Sequence, residues 1–407
     1  MKYFTLLFGF LFVVFSCGNS LKSEVRNQKL ESQKEILKDK NNKTQTLLKT
    51  GADNSSLYLP LLKGKKVGVV TNQSGILTDK THLVDFLLSK SIGVKQIFAP
   101  EHGFRGTADA GELIKDGKDS KTNLPIISLY GNNKKPKSEQ LEGIDVMVFD
   151  LQDVGARFYT YISSLHYVME ACAENNIQLI VLDRPNPNGG IIDGPILENE
   201  NTSFVGMHKI PVLHGMTIGE YAQMINGEKW LKNEVQCELK VIPCLNYDRN
   251  MEYNLPVKPS PNLPNAQSIN LYASLCFFEG TNVSVGRGTD KQFQIYGSPY
   301  LPKSDFSFTP KPNEGAKDPV YNGKVCFGED LSEIKKVNQL ELKWLLKAYN
   351  ETSDKSKFFN SFFIKLAGTT KLQEQIESGI SEKEIRKSWE NGLNEFRLMR
   401  KKYLIYD

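Results

Sequence analysis

Between residues 66 and 183 five apolar runs recur, and they constrain the fold more than any other feature of the chain. They lie in "KKVGVVTNQSG", "VKQIFAP", "LPIISLYG", "IDVMVFDLQDVG" and "IQLIVLDRPNPNGG". Each is continuous rather than alternating, which marks a strand covered on both faces. "CELKVIPC" (237–244) reads as a further strand. Segments of helical period lie between the runs. "THLVDFLLSK" carries Leu83, Phe86, Leu87 and Lys90, and Phe158, Ile162, Leu165, Met169 and Cys172 recur three or four apart. Strands alternating with helices predict a Rossmann-like, doubly wound, mostly parallel α/β sheet.

That assignment gives the polar residues an address. Asn72, Glu101-His102, Tyr130, Asp150-Gln152-Asp153 and Asp183-Arg184 all fall at or just past the carboxyl end of a run. Ligands of open parallel sheets bind in the crevice outside those ends. The ligand is not a nucleotide by any recognisable signature. The first turn reads "TNQSG" rather than GxGxxG, and no Walker sequence occurs. No GxSxG elbow points to an esterase either.

The chain of 407 residues exceeds what one core usually holds, so two domains are expected. Residues 58–248 hold the regular alternation. Residues 249–407 change texture: a loop-rich, Pro- and Gly-punctuated stretch, then strands near 305–328 and amphipathic helices near 331–349 and 381–397. They read as a smaller α+β auxiliary domain closing a cleft. A net charge of +4 is nearly balanced and argues against a nucleic-acid partner.

The N-terminus predicts an address outside the cytoplasm. Lys2, an apolar run from Tyr3 to Phe15, and then Ser16-Cys17 have the proportions of a signal peptide (1–16). The small residue before Cys17 resembles a lipobox, implying lipidation of Cys17 and a membrane anchor at the periplasmic or cell surface. Residues 17–57 are polar enough to serve as a flexible tether. The other five cysteines are odd in number, and Cys237 and Cys244, extended, sit roughly 23 Å apart, beyond disulfide reach. No CxxC or HxxxH spacing appears, so neither a metal nor a cofactor is expected.

Glu101, between Pro100 and Gly103, is thrust off a strand end. At the edge of an apolar pocket desolvation would suit it to general-acid work, with His102 beside it or beside the ligand. "FDLQDVGARFYTYISS" is the densest stretch: Asp150, Gln152, Asp153, Arg157, Tyr159 and Tyr161. Carboxylates and amides hold hydroxyls, and aromatic rings stack on pyranose faces. Asp153 also suits a helix cap, and Arg157 and Tyr161, four apart, share a helical face. Asp183 is a candidate hydroxyl ligand. Glu220 stands three after Thr217 in a capping-box spacing, leaving His214 to point at the cleft. Glu279, Asn282 and Arg287 cluster in the irregular stretch and would form its far wall.

Six segments in order carry a resemblance: "APEHGFRG", "FDLQDVGARFYTYISSLHYVMEA", "VLDRPNPNGG", "LHGMTIGEYA", "PSPNLPN" and "EGTNVSVGRGTDKQF". Together they resemble the NamZ-type exo-β-N-acetylmuramidases, from about residue 58 to the C-terminus. The resemblance implies a glycoside hydrolase releasing N-acetylmuramic acid from the non-reducing end of peptidoglycan-derived muramyl-glucosamine saccharides, at a site between two domains. It implies that Glu101, in the PEHG motif, is catalytic. Three candidates stand for the second group: Asp150, Asp153 and the substrate's own 2-acetamido group. Arg157 or Arg287 would read the lactyl carboxylate.

Overall fold

The computed structural model describes residues 47–104 and 116–407, so Cys17 and Arg105 lie outside the described residues. Lys49–Asp407 form one compact unit. Its centre is a seven-stranded sheet in the order β3-β4-β2-β1-β5-β6-β7. The strands are β1 (Lys66–Thr71), β2 (Gly93–Ala99), β3 (Gly117–Lys118), β4 (Pro125–Ser128), β5 (Val146–Asp150), β6 (Gln178–Leu182) and β7 (Leu239–Ile242). All pairings are parallel except the short β3, which runs antiparallel to β4. The order reverses between β1 and β5, whose ends pair Thr71 with Asp150. That crevice is where a doubly wound sheet presents its chemistry.

Continuous apolar strands allow a core on each face. Val67, Val69, Ile97, Val148, Ile180 and Leu182 pack with Leu83, Val84 and Leu87 of the helix Leu83–Ser89. Their neighbours Val70, Phe98, Met147, Phe149 and Val181 point the other way, onto Ile162, Leu165, Met169 and Cys172 of the helix Tyr161–Glu174. Each such apolar side chain contributes about 1.5–3 kcal/mol on full burial. The predicted capping box is present: Thr217 Oγ1 accepts from the Glu220 amide, and Glu220 Oε2 accepts from the Thr217 amide, at the start of helix Ile218–Gly227.

The second half is built around a three-stranded antiparallel sheet, β8 (Ile295–Ser298), β10 (Cys326–Asp330) and β9 (Ser307–Phe308), in that order. Its core is continuous with the first: Leu263, Tyr272, Phe277, Trp344 and Trp389 join the cluster that holds Val70 and Phe149. The helix Glu382–Arg400 follows the predicted amphipathic pattern, burying Ile385, Trp389, Leu393 and Phe396.

Three expectations change. Residues 50–52, read as part of a tether, are buried. Gly51 donates to the Asp183 carbonyl at 2.7 Å, and a Cβ there would meet the Ile242 carbonyl oxygen at 2.3 Å. Helix does not begin near 331: Leu331, Leu340 and Leu342 are buried in an irregular strap, and the helix runs Lys343–Glu351. The stretch read as loop contains the helix Ala266–Leu275, capped by Asn265, whose side chain accepts from the Ser268 amide. The five described cysteines are free thiols.

Candidate active site

Strand β2 ends in a reversal. The Gly103 amide donates to the Pro100 carbonyl at 3.0 Å, and His102 and Gly103 both take left-handed backbone, with φ of 71° and 74°. Left-handed backbone costs a non-glycine residue such as His102 about 1–2 kcal/mol, an outlay that clusters at functional sites. The turn leaves Glu101 half-buried on the wall of a small cavity. Glu101 Oε2 accepts a hydrogen bond from Thr160 Oγ1 at 2.9 Å. His102, itself buried, lines the same cavity.

Aromatic rings form much of the wall. Tyr159 and Tyr161 meet edge to face at 4.8 Å, Tyr159 meets Tyr272 at 6.0 Å, and Tyr272 meets Phe293 at 4.9 Å. The tyrosines are pinned rather than loose. Tyr159 donates to the Pro259 carbonyl at 2.8 Å, and the Tyr161 hydroxyl accepts from Asn72 Nδ2 at 2.6 Å. Asn72 is fully buried, its Oδ1 accepting from the Ser74 amide and hydroxyl, so it supports the wall without forming it. Burial and the neighbouring phenols keep Tyr159 protonated far above the ordinary phenol range.

Arg287 closes the opposite side. Its Nε donates to Glu279 Oε1 at 2.6 Å, and its guanidinium lies 5.1 Å from the Phe293 ring centre. Partial burial opposes the charge, but the Glu279 carboxylate outweighs it and holds Arg287 above its ordinary value. Its Nη groups donate no hydrogen bond to any described residue. Glu279 thus acts as the anchor of Arg287. The Asn282 carbonyl accepts from Ser298 and Tyr321, and its side chain lies off the cavity.

Other nominated residues are corrected by where their partners lie. Asp150 is fully buried and doubly bonded by Arg184, Nε at 2.6 Å and Nη2 at 2.9 Å, which leaves it no path to a ligand. Asp153 caps no helix, because the helix starts only at Tyr161. Its Oδ2 accepts from the Gly155 amide at 2.6 Å in a turn that Gly155 closes with φ of 77°. Burial pushes Asp153 up to about 7, against the pull of the Gly155 and Val154 amides. His214 lies 3.7 Å from Asp153, fully buried and away from the cavity; burial, then Arg400 and Arg157, push it down to about 3. Gln152 is buried, donating to the Asp153 and Pro185 carbonyls.

Arg157 shares no helical face with Tyr161, since it precedes the helix. Completely buried, it donates to the carbonyls of Pro195, Ile210, Leu366 and Ala367, binding distant segments together. Burial lowers it to about 9. Asp183 is likewise structural. It accepts from the Gly219 amide, the Thr217 hydroxyl and Tyr406, and burial raises it to about 6.

Of the nominated residues, Glu101, His102, Tyr159, Tyr161 and Arg287 line one cavity. Sequence reasoning missed Thr160, Ser260, Asn262, Tyr272 and Phe293 on its wall. Asn262 is 1% exposed and donates to the Gly315 carbonyl, while its Oδ1 has no partner among the described residues. The signal existed, for Ser260 and Asn262 lie in "PSPNLPN" and Phe293 ends "EGTNVSVGRGTDKQF".

A doubly wound sheet with a pocket pairing aromatic rings, a carboxyl and a guanidinium has the chemistry of a saccharide-type site. Comparisons give that class a family. Residues 67–267 match the N-terminal and 270–406 the C-terminal model of the exo-β-N-acetylmuramidase NamZ. The peptidoglycan β-N-acetylmuramidase NamZ of Bacillus subtilis (strain 168) is 40% identical over 379 residues, 86% of this chain and 89% of the relative. A crystal structure of a DUF1343 family protein from Bacteroides fragilis NCTC 9343 has a TM-score of 0.82 and 42% identity, covering 89% of this chain and 99% of that one. A second from that strain has a TM-score of 0.76 at 29% identity, covering 88% and 99%. The chain belongs to the exo-β-N-acetylmuramidase NamZ family.

Proposed function

We propose that this chain is an exo-acting glycosidase that releases N-acetylmuramic acid from the non-reducing end of muramyl-glucosamine fragments, with Glu101 as general acid. One observation carries the assignment to Glu101: its carboxyl sits on the wall of the aromatic cavity, held by Thr160, while the buried Asp150 and Asp153 do not reach that cavity. Tyr159, Tyr161 and Tyr272 supply ring edges and faces for the sugar. The Nη groups of Arg287 supply paired donors for the lactyl carboxylate, the group that separates muramic acid from glucosamine. With Asp150 and Asp153 locked elsewhere, the substrate's 2-acetamido oxygen is the nucleophile that fits. Lipid on Cys17 would hold the enzyme at the outer face of a membrane, where cell-wall fragments are met; labelling with a palmitate analogue should vanish in Cys17→Ala.

The test of Glu101 is Glu101→Gln on a defined muramyl-glucosamine disaccharide, with both product sugars quantified. Loss of general-acid catalysis lowers turnover by about 100-fold or more. Turnover within a few-fold of the parent would remove Glu101 from the chemistry.

A further inference from the structure

Thr160 directly precedes the helix Tyr161–Glu174, already has helical backbone with φ of −74° and ψ of −2°, and its side chain makes no capping bond. The hydroxyl is turned to the neighbouring strand end, donating to Glu101 Oε2 at 2.9 Å across 59 residues of sequence. Thr160 is half-buried on the cavity wall, between two tyrosines that are themselves pinned to Asn72 and Pro259.

Resting on the general-acid reading of Glu101, we propose that Thr160 is a positioning residue that fixes which oxygen of Glu101 carries the proton. With Oε2 accepting from Thr160, the acid proton resides on Oε1. As the substrate's 2-acetamido oxygen bonds to C1, the C1–O bond breaks and its electron pair goes to the departing oxygen, which takes the proton from Oε1. Glu101 is left as a carboxylate whose Oε2 still accepts from Thr160. A hydrogen bond to a charged acceptor is stronger than one to a neutral acceptor, so this contact strengthens along the reaction. The contribution therefore belongs to kcat. It is largest where the departing group most needs a proton.

The experiment compares the parent, Thr160→Val, Thr160→Ser and Glu101→Gln on two substrates: the muramyl-glucosamine disaccharide, with a poor leaving group, and a nitrophenyl β-N-acetylmuramide, with a good one. Valine keeps the shape and removes the hydroxyl. Thr160→Val should lower kcat on the disaccharide about 10-fold, with KM unchanged within about 2-fold. The nitrophenyl substrate should lose much less, and Thr160→Ser should restore both. Equal loss on both substrates, loss confined to KM, or no loss overturns the inference. Melting temperatures accompany each variant, and Thr160→Ala carries the same comparison if valine fails to fold. Failure of the underlying reading is separable: Glu101→Gln would then turn over the disaccharide like the parent, whatever Thr160 does.

Discussion

The ends of β2 and β5 make an instructive pair. Both are carboxyl ends of inner parallel strands, and both carry acids, Glu101 on one and Asp150 and Asp153 on the other. After β2 the chain reverses through two left-handed residues, and the acid stays on a cavity wall with a hydroxyl partner. After β5 the chain dives beneath the second half, and Asp150 is neutralised by Arg184 while Asp153 is shut away beside His214. The rule that ligands meet strand ends therefore leads to an edge where the cavity with Glu101 lies. Which acid can act depends on where the following segment goes.

The two arginines repeat the lesson. Arg157 spends both Nη groups on four buried carbonyls, whereas Arg287 engages one carboxylate through Nε and faces the cavity.

The largest expected effect would break the comparison on its structural side. Arg184→Ala leaves Asp150 charged and alone in the core, and should cost about 3–5 kcal/mol in denaturant unfolding. A variant as stable as the parent would mean that the pair is not the lock described. Arg287→Ala comes next. It should reduce the preference for β-N-acetylmuramide over β-N-acetylglucosaminide by about 10-fold or more, while stability changes little. Arg157→Ala should show the reverse, lost stability with the preference of any folded fraction retained. If Arg157 moves the preference and Arg287 does not, the roles are exchanged.

The smallest effect is a pH dependence. Asp153 is pushed above its ordinary carboxylate value, to about 7, so the folded protein binds the proton more tightly than the unfolded chain. Its favourable contribution is complete at pH below the unfolded value and is lost as pH rises towards 7. Asp153→Asn, neutral throughout, should therefore gain stability relative to the parent between about pH 4 and 7, by about 1 kcal/mol or more. Melting curves across that range decide it; a constant difference would contradict the burial argument.

Much of the sheet was legible because continuous apolar runs such as "VGVV" and "MVF" permit little besides strands covered on both faces. The helix Ala266–Leu275 was not, because Pro261, Pro264 and later glycines dominated the reading of a segment whose apolar face is short. Glu101, the two tyrosines and Arg287 were legible from position and chemistry. The fate of Arg157 and Asp183 was not, because it is decided by carbonyls at Leu366 and Ala367 and by the hydroxyl of Tyr406. Those partners are about 200 residues away, and no local pattern announces them. Thr160 was hidden for a related reason: only the tertiary fold brings its hydroxyl to Glu101, 59 residues away.

The most direct measurement is single-turnover cleavage of the muramyl-glucosamine disaccharide by Glu101→Gln and Asp153→Asn side by side, each verified as folded. The account predicts a loss of about 100-fold or more for the first and a change within a few-fold for the second. Parent-like cleavage by Glu101→Gln, or a collapse confined to Asp153→Asn, would contradict it.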